Sequence, residues 1–215
     1  MKMQQKNEAL SKVLRGQPVI PVVQIANLAH AVPMAKALVA GGLPAIEITL
    51  RTNDALDAIR LVASEVEGAI VGAGTVLNPK QFKEAEAAGS QFIVSPGTTV
   101  ELLNEAKDHM VPYLPGATTP SEIMSMVEEG YSILKFFPAE QSGGISFLKS
   151  LSSPISGVAF CPTGGITPQS APDYLSLPNV LCVGGSWITP NDLMDAEDWD
   201  GIERLAREAH GLATV

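Results

Sequence analysis

Pro18-Val19-Ile20-Pro21-Val22-Val23-Gln24-Ile25 is short, β-branched and almost continuously apolar, the pattern of a parallel strand buried on both faces. After it, Leu28 to Ala40 carries apolar residues at helical spacing and closes on Gly41-Gly42, since glycine readily ends a helix. This strand-and-helix unit recurs. Further strand candidates begin near Ala45, Ala69, Gln91, Val111, Ser132, Gly157 and Asn179, separated by segments of helical character. Helix starts are marked by Asn53-Asp54, Asn78-Pro79 and Thr119-Pro120-Ser121-Glu122, where capping side chains precede residues suited to a first turn.

Counting the first, eight strands alternate with helices at a spacing of roughly 20 to 26 residues, which calls for right-handed crossovers and a parallel sheet. The expected fold is therefore α/β, a (β/α)8 TIM barrel. A short leading N-terminal helix is expected from about Asn7 to Arg15, where Ala9, Leu10, Val13 and Leu14 share one face and Gly16 stops the pattern. No linker, charge run or low-complexity tract divides the 215 residues, so residues 1–215 are expected to form a single domain.

The net charge is −9 and the basic residues are scattered singly, which argues against nucleic acid as a partner. Hydrophobic residues make up 46%, but no apolar run approaches the roughly 18 residues of a membrane span. The polar start, Met1 to Glu8, lacks the apolar core of a secretory signal, and the expected location is cytoplasmic. Cys161 and Cys182 lie in apolar, strand-like runs. Their spacing allows a bridge, but two buried thiols in a reducing compartment fit better. His30, His109 and His210 are far apart and show no metal-ligand spacing, so no metal or cofactor is expected.

Five strands carry groups with chemical potential. In Ile133-Leu134-Lys135-Phe136-Phe137-Pro138 a lysine sits within an apolar strand. It either reaches water along its own stem or acts as an amine that attacks a carbonyl to form an imine. In Ala45-Ile46-Glu47-Ile48-Thr49-Leu50-Arg51 the period of two places Glu47, Thr49 and Arg51 on one face, which should line the interior. Glu47 and Arg51 could simply pair there, but an inward Lys135 would leave two cations against one anion and favour an anionic ligand. The third strand ends in Gly72-Ala73-Gly74-Thr75, where the glycines read as space beside a ligand or as a tight turn, and Thr75 sits at the mouth. The last two strands end in Cys161-Pro162-Thr163-Gly164-Gly165 and Val183-Gly184-Gly185-Ser186. Glycine pairs at these two positions suit phosphate, because bare backbone N–H groups can converge on its oxygens.

Glu47-Ile48-Thr49-Leu50-Arg51-Thr52, Gly72-Ala73-Gly74-Thr75-Val76, Ser95-Pro96-Gly97, Pro115-Gly116, Lys135 to Glu140, Pro162 to Ile166 and Gly184-Gly185-Ser186 stand in unbroken order. Together they resemble the 2-keto-3-deoxy-6-phosphogluconate (KDPG) aldolases, class I aldolases of the Entner–Doudoroff pathway. The resemblance implies a homotrimeric barrel in which Lys135 forms the Schiff base and Glu47 is the general acid and base. Arg51 and Thr75 would bind the pyruvate carboxylate, with Phe137 and Pro96 against the pyruvate part. Gly164, Gly165, Gly185 and Ser186 would hold the phosphate, with Thr163 alongside. The implied substrate is a phosphorylated keto acid cleaved to pyruvate and glyceraldehyde 3-phosphate, and 4-hydroxy-2-oxoglutarate (KHG) is implied as a second substrate. The galactonate-series phosphate aldolase and a non-catalytic phospholigand-binding barrel are the alternatives.

Overall fold

The computed structural model describes residues 3–212, so Met1 and Lys2 of the polar start lie outside the described residues. Helix α1 (Met3–Arg15) leads into β1 (Val19–Val23), and a 3-10 turn at Leu28–His30 opens α2 (Ala31–Ala40). There follow β2 (Ala45–Thr49), α3 (Ala55–Glu65), β3 (Ile70–Gly74), α4 (Pro79–Ala87), β4 (Ile93–Val94), α5 (Val100–Asp108), β5 (Tyr113–Leu114) and α6 (Pro120–Glu128). The second half runs β6 (Ile133–Phe136), α7 (Gly144–Leu151), β7 (Ala159–Pro162), α8 (Ala171–Leu175), β8 (Val183–Gly185), α9 (Asn191–Asp195) and α10 (Trp199–His210).

The caps explain where several helices start. The Asn78 side chain accepts from the Gln81 N–H at 3.0 Å, with Pro79 following it. Thr119 and Glu122 form a reciprocal capping box at the start of α6, satisfying donors that a first turn leaves free. Asp54 precedes α3 without a side-chain cap.

The strands are parallel, but they do not form one continuous ladder. Six make a sheet in the order β5-β4-β3-β2-β1-β8, and β6 and β7 pair separately. Isolated parallel bridges join the two groups, Gly116 to Lys135 at one seam and Phe160 to Val180 and Thr163 to Gly184 at the other. The seams fall where Pro112 and Pro115 flank β5 and Pro162 ends β7, and proline has no N–H to give a ladder. The six-stranded sheet curls, because Glu47 on β2 reaches Lys135 on β6.

Alternation along the strands divides two apolar layers. Ile46 and Ile48 face outward into the large core between strands and helices. Ala45, Ile20, Phe92, Leu114 and Ile133 instead form an inner cluster with Leu10 and Leu14 of α1. The leading helix therefore plugs the strands' N-terminal side. It begins a turn earlier than its apolar spacing predicts because Lys6 is buried and donates to the Ala106 carbonyl at 2.6 Å and the Lys107 carbonyl at 3.3 Å. Those are free acceptors at the end of α5, where a cation is favoured. Among the described residues no helix is long and apolar enough to cross a membrane.

Candidate active site

β2 presents Glu47 and Thr49 to the interior, 3% and 1% exposed. Burying a carboxylate requires a partner, and that partner is Lys135, itself 4% exposed, whose Nζ lies 2.9 Å from Oε1 and 3.3 Å from Oε2 of Glu47. The Glu47–Arg51 pairing open to the sequence is not the one formed. Lys135 is fixed from both sides, its N–H donating to Pro115 and its carbonyl accepting from Ala117. Its ammonium also stands 5.7 Å from the centre of the Phe137 ring, within reach of a cation–π attraction.

The glycines of β3 make room for side chains rather than for a ligand directly. A Cβ on Gly74 would come within 2.1 Å of Glu47 Oε1, and one on Gly72 within 2.5 Å of the Phe92 ring. Only glycine at 74 lets the carboxylate lie where Lys135 meets it. Beyond it, Thr75 has a φ of 57°, strained for a β-branched residue, and its hydroxyl accepts from Arg51 Nε at 3.1 Å. Arg51 is exposed at the mouth. Thr49 ties β2 to β1 by donating to the Val23 carbonyl at 2.9 Å.

A cavity of about 420 Å³ opens at the C-terminal ends of the strands, lined among others by Thr49, Arg51, Phe137, Thr163, Gly164, Gly165 and Ser186. Arg51 is the one charged residue of its lining. Lys135 and Glu47 lie beneath it, next to Phe137 and Thr49, and Thr75 joins it through Arg51. Pro96 sits one strand further round, where its carbonyl would be 2.4 Å from a Cβ on Gly116. Gly184 lines the cavity, whereas Gly185 packs under the Trp187 ring.

The far end of the cavity holds unpaired donors. Gly164 and Gly165 have φ values of 104° and 77°, a backbone form that suits glycine. Among the described residues the N–H groups of Gly164, Gly165 and Ser186 have no protein acceptor. The Thr163 hydroxyl is also without a partner, although Thr163 is only 6% exposed. The loop is braced from behind, because Glu140 N–H donates to the Gly164 carbonyl at 3.1 Å and the Tyr174 hydroxyl donates to the Glu140 carboxylate at 2.6 Å. Burial, then the Glu140 carboxylate, push the Tyr174 hydroxyl well above its ordinary range, so it stays a donor.

Beneath the lysine, Cys161 and Cys182 are free and buried with sulfurs 3.5 Å apart. The hydrogen bond with Cys161 and burial raise the Cys182 thiol well above its ordinary range, which keeps it unreactive. Among the described residues no group of three His, Cys, Asp or Glu is placed to hold a metal ion. Gln24, Thr189 and Asn191 also line the cavity and escaped the sequence reading. Gln24 reads simply as a strand end, and the loop after β8 carries no repeated pattern.

A buried amine against one carboxylate can exchange a proton with it, and the loose N–H groups opposite can hold an anion. The family model "KDPG and KHG aldolase" matches residues 10–205. The chain is 54% identical over 197 residues to the KHG/KDPG aldolase of Escherichia coli (strain K12), covering 92% of each. A KDPG aldolase structure from Legionella pneumophila, with pyruvate captured as a covalent carbinolamine, matches with TM-score 0.91 and 44% identity over 93% of this chain and 97% of that one. A structure of the Zymomonas mobilis ZM4 enzyme with 3-phosphoglycerate matches with TM-score 0.91 and 46% identity over 100% and 99%. On a match of this extent and identity, the chain belongs to the KDPG and KHG aldolase family.

Proposed function

We propose that this protein is a class I aldolase that cleaves 2-keto-3-deoxy-6-phosphogluconate to pyruvate and glyceraldehyde 3-phosphate, and 4-hydroxy-2-oxoglutarate to pyruvate and glyoxylate. The observation that carries this reading is the Lys135 amine 2.9 Å from Glu47, below a cavity whose other end offers unpaired donors. Lys135 Nζ attacks the C2 ketone, and Glu47 delivers the proton with which the former ketone oxygen leaves as water. In the resulting protonated imine, the electrons of the C3–C4 bond flow toward nitrogen while Glu47, directly or through one water, takes the C4 hydroxyl proton. The aldehyde departs. The enamine is protonated at C3, and water hydrolyses the imine to pyruvate and free Lys135. The carbinolamine captured with pyruvate in the Legionella enzyme is the first intermediate this sequence requires.

Arg51 and Thr75 take the carboxylate, the fork of the guanidinium matching its two oxygens. Phe137 and Pro96 border the keto-acid end. Gly164, Gly165 and Ser186 hold the phosphate by their backbone N–H groups, with the Thr163 hydroxyl beside them, while Gly185, under the Trp187 ring, sets the position of Ser186. Phosphate binding far from the breaking bond supplies orientation. The galactonate-series alternative is disfavoured by identities of 46% and 54% to relatives with KDPG aldolase names.

Closure of the strands into one (β/α)8 barrel domain belongs to the same reading and is supported by the three seam bridges. So does a cytoplasmic homotrimer. Free buried thiols suit a reducing compartment, and the exposed Val100, Met124 and Val127 on α5 and α6 are apolar surface that assembly would cover. The test is intact-mass analysis and peptide mapping after incubation with pyruvate and borohydride. The expected result is one reduced pyruvate adduct, on Lys135. Pyruvate binding without an adduct would sink the imine mechanism.

A further inference from the structure

The phosphate end of the cavity poses an electrostatic problem. A phosphomonoester brings close to two negative charges, yet the one cation in the lining is Arg51, which belongs to the carboxylate end. Behind the Gly164-Gly165 turn stands an acid: a Cβ on Gly165 would lie 2.7 Å from Glu140 Cγ. Asp192 follows Asn191 in the chain. Charge attraction is therefore weak here, and the anion has to be held by the number of neutral donors that converge on it. Three backbone N–H groups and the buried, unpartnered Thr163 hydroxyl supply part of that set.

The rest is available from two exposed amides on the same wall. β1 pairs with β8 in the register Pro21 to Gly185, which carries Gln24, three residues on, past the end of β8 and alongside the loop that follows Ser186. The loop after Ser186 folds back at once, Thr189 N–H donating to the Ser186 carbonyl at 3.4 Å, and this return brings Asn191 to the cavity. Gln24 and Asn191 both line it, and among the described residues neither side chain has a hydrogen-bond partner. Each amide carries two N–H donors and no charge.

Building on the aldolase reading, we infer that the side-chain amides of Asn191 and Gln24 complete a phosphomonoester subsite that works through neutral donors, and that they set the preference for phosphorylated over unphosphorylated keto acids. A carboxylate in either place keeps the shape and turns a donor into a repelling acceptor.

The experiment compares the unaltered chain with Asn191→Asp, Asn191→Ala and Gln24→Glu in two assays. Binding of inorganic phosphate is followed by calorimetry, and kcat/KM is measured on 2-keto-3-deoxy-6-phosphogluconate and on 4-hydroxy-2-oxoglutarate. For both carboxylate variants the expected result is phosphate affinity lowered by about tenfold or more, with the preference for the phosphorylated substrate reduced by a similar factor. Asn191→Ala should do the same more mildly. Phosphate affinity and substrate preference within about twofold of the unaltered chain in Asn191→Asp and Gln24→Glu would overturn the inference and leave the aldolase reading standing. Weakened phosphate binding in a chain that forms no pyruvate adduct would do the reverse. Should Asn191→Asp fail to fold, Gln24→Glu and Asn191→Ala decide the question.

Discussion

Two lysines of this protein are equally hidden, Lys6 at 5% exposed and Lys135 at 4%, and they do unlike work. Lys6 points its ammonium at two main-chain carbonyls that end α5. Carbonyls accept hydrogen bonds but take no proton, so this lysine bolts α1 to the helix layer. Burial lowers its pKa, against the opposing charges of Glu86 and Asp108. Lys135 faces a carboxylate under an open cavity, where a proton can pass between the partners. Burial alone thus says nothing about chemistry; the nature of the acceptor and access to a ligand do.

The contrast breaks most sharply at Lys135. In Lys135→Met the pyruvate adduct and the aldol cleavage should vanish. Glu47 would be left as a buried carboxylate without its partner, and breaking such a pair costs about 3–5 kcal/mol. Adding Glu47→Gln should restore part of that stability and none of the activity. Glu47→Gln alone keeps the amine but removes the proton relay, and turnover should fall about 10²- to 10⁴-fold. Steady-state kinetics with urea denaturation separates the two effects. Full turnover in Glu47→Gln would reduce the pair to a structural ion pair and erase the contrast with Lys6.

Lys6→Met is the smaller, complementary change. It strips a donor from the end of α5 and should lower stability by about 1–3 kcal/mol, each kcal/mol shifting Tm by about 2–4 °C in a domain of this size. Adduct formation below the new Tm should be unchanged. Selective loss of the adduct would mean that the plugged end and the mouth are coupled.

Sequence patterning resolved the strand-and-helix alternation because each strand is a short apolar run between glycine, proline and capping residues, as at Asn78 and Thr119. It also placed Glu47 and Thr49 on the interior face of β2, since the period of two separates them from Ile46 and Ile48, but left Lys135 open because both faces of the β6 run are apolar. It could not tell which cation Glu47 would take, because that depends on how far the sheet curls to bring β6 opposite β2. Nor could it see that Gly74 is small on Glu47's behalf, a contact between neighbouring strands. Lys6 looks like any residue of a polar start, because its carbonyl partners lie about a hundred residues away. Gln24 and Asn191 were missed for a related reason: only pairing of the first strand with the last puts them on one wall.

The mildest test concerns the corner where Lys6 anchors. His109 lies between Glu86 and Glu105, its Nδ1 meeting Glu86 and its Nε2 2.6 Å from Glu105. Burial pushes the His109 pKa down, but the hydrogen bonds and charges of the two carboxylates outweigh it, so the pKa rises above the ordinary 6.5. Glu105 moves the other way: burial raises its pKa, while hydrogen bonds from His109 and Lys83 outweigh that and hold it below the ordinary 4.5. By linkage, the raised histidine contributes stability that is complete below pH 6.5 and disappears as pH climbs through its folded value. The depressed glutamate contributes stability that is complete above pH 4.5 and disappears as pH falls through its folded value. The cluster should therefore stabilise most between pH 4.5 and 6.5. Replacing His109 with Gln removes the alkaline loss, so the Tm of that variant should fall less than the parent's as pH rises above 6.5. A parallel fall in both proteins would show the cluster to be without effect on folding. Because Glu86 also opposes the burial penalty on Lys6, His109→Gln combined with Lys6→Met should depart from additivity, whereas either change should add independently to a substitution at Lys135.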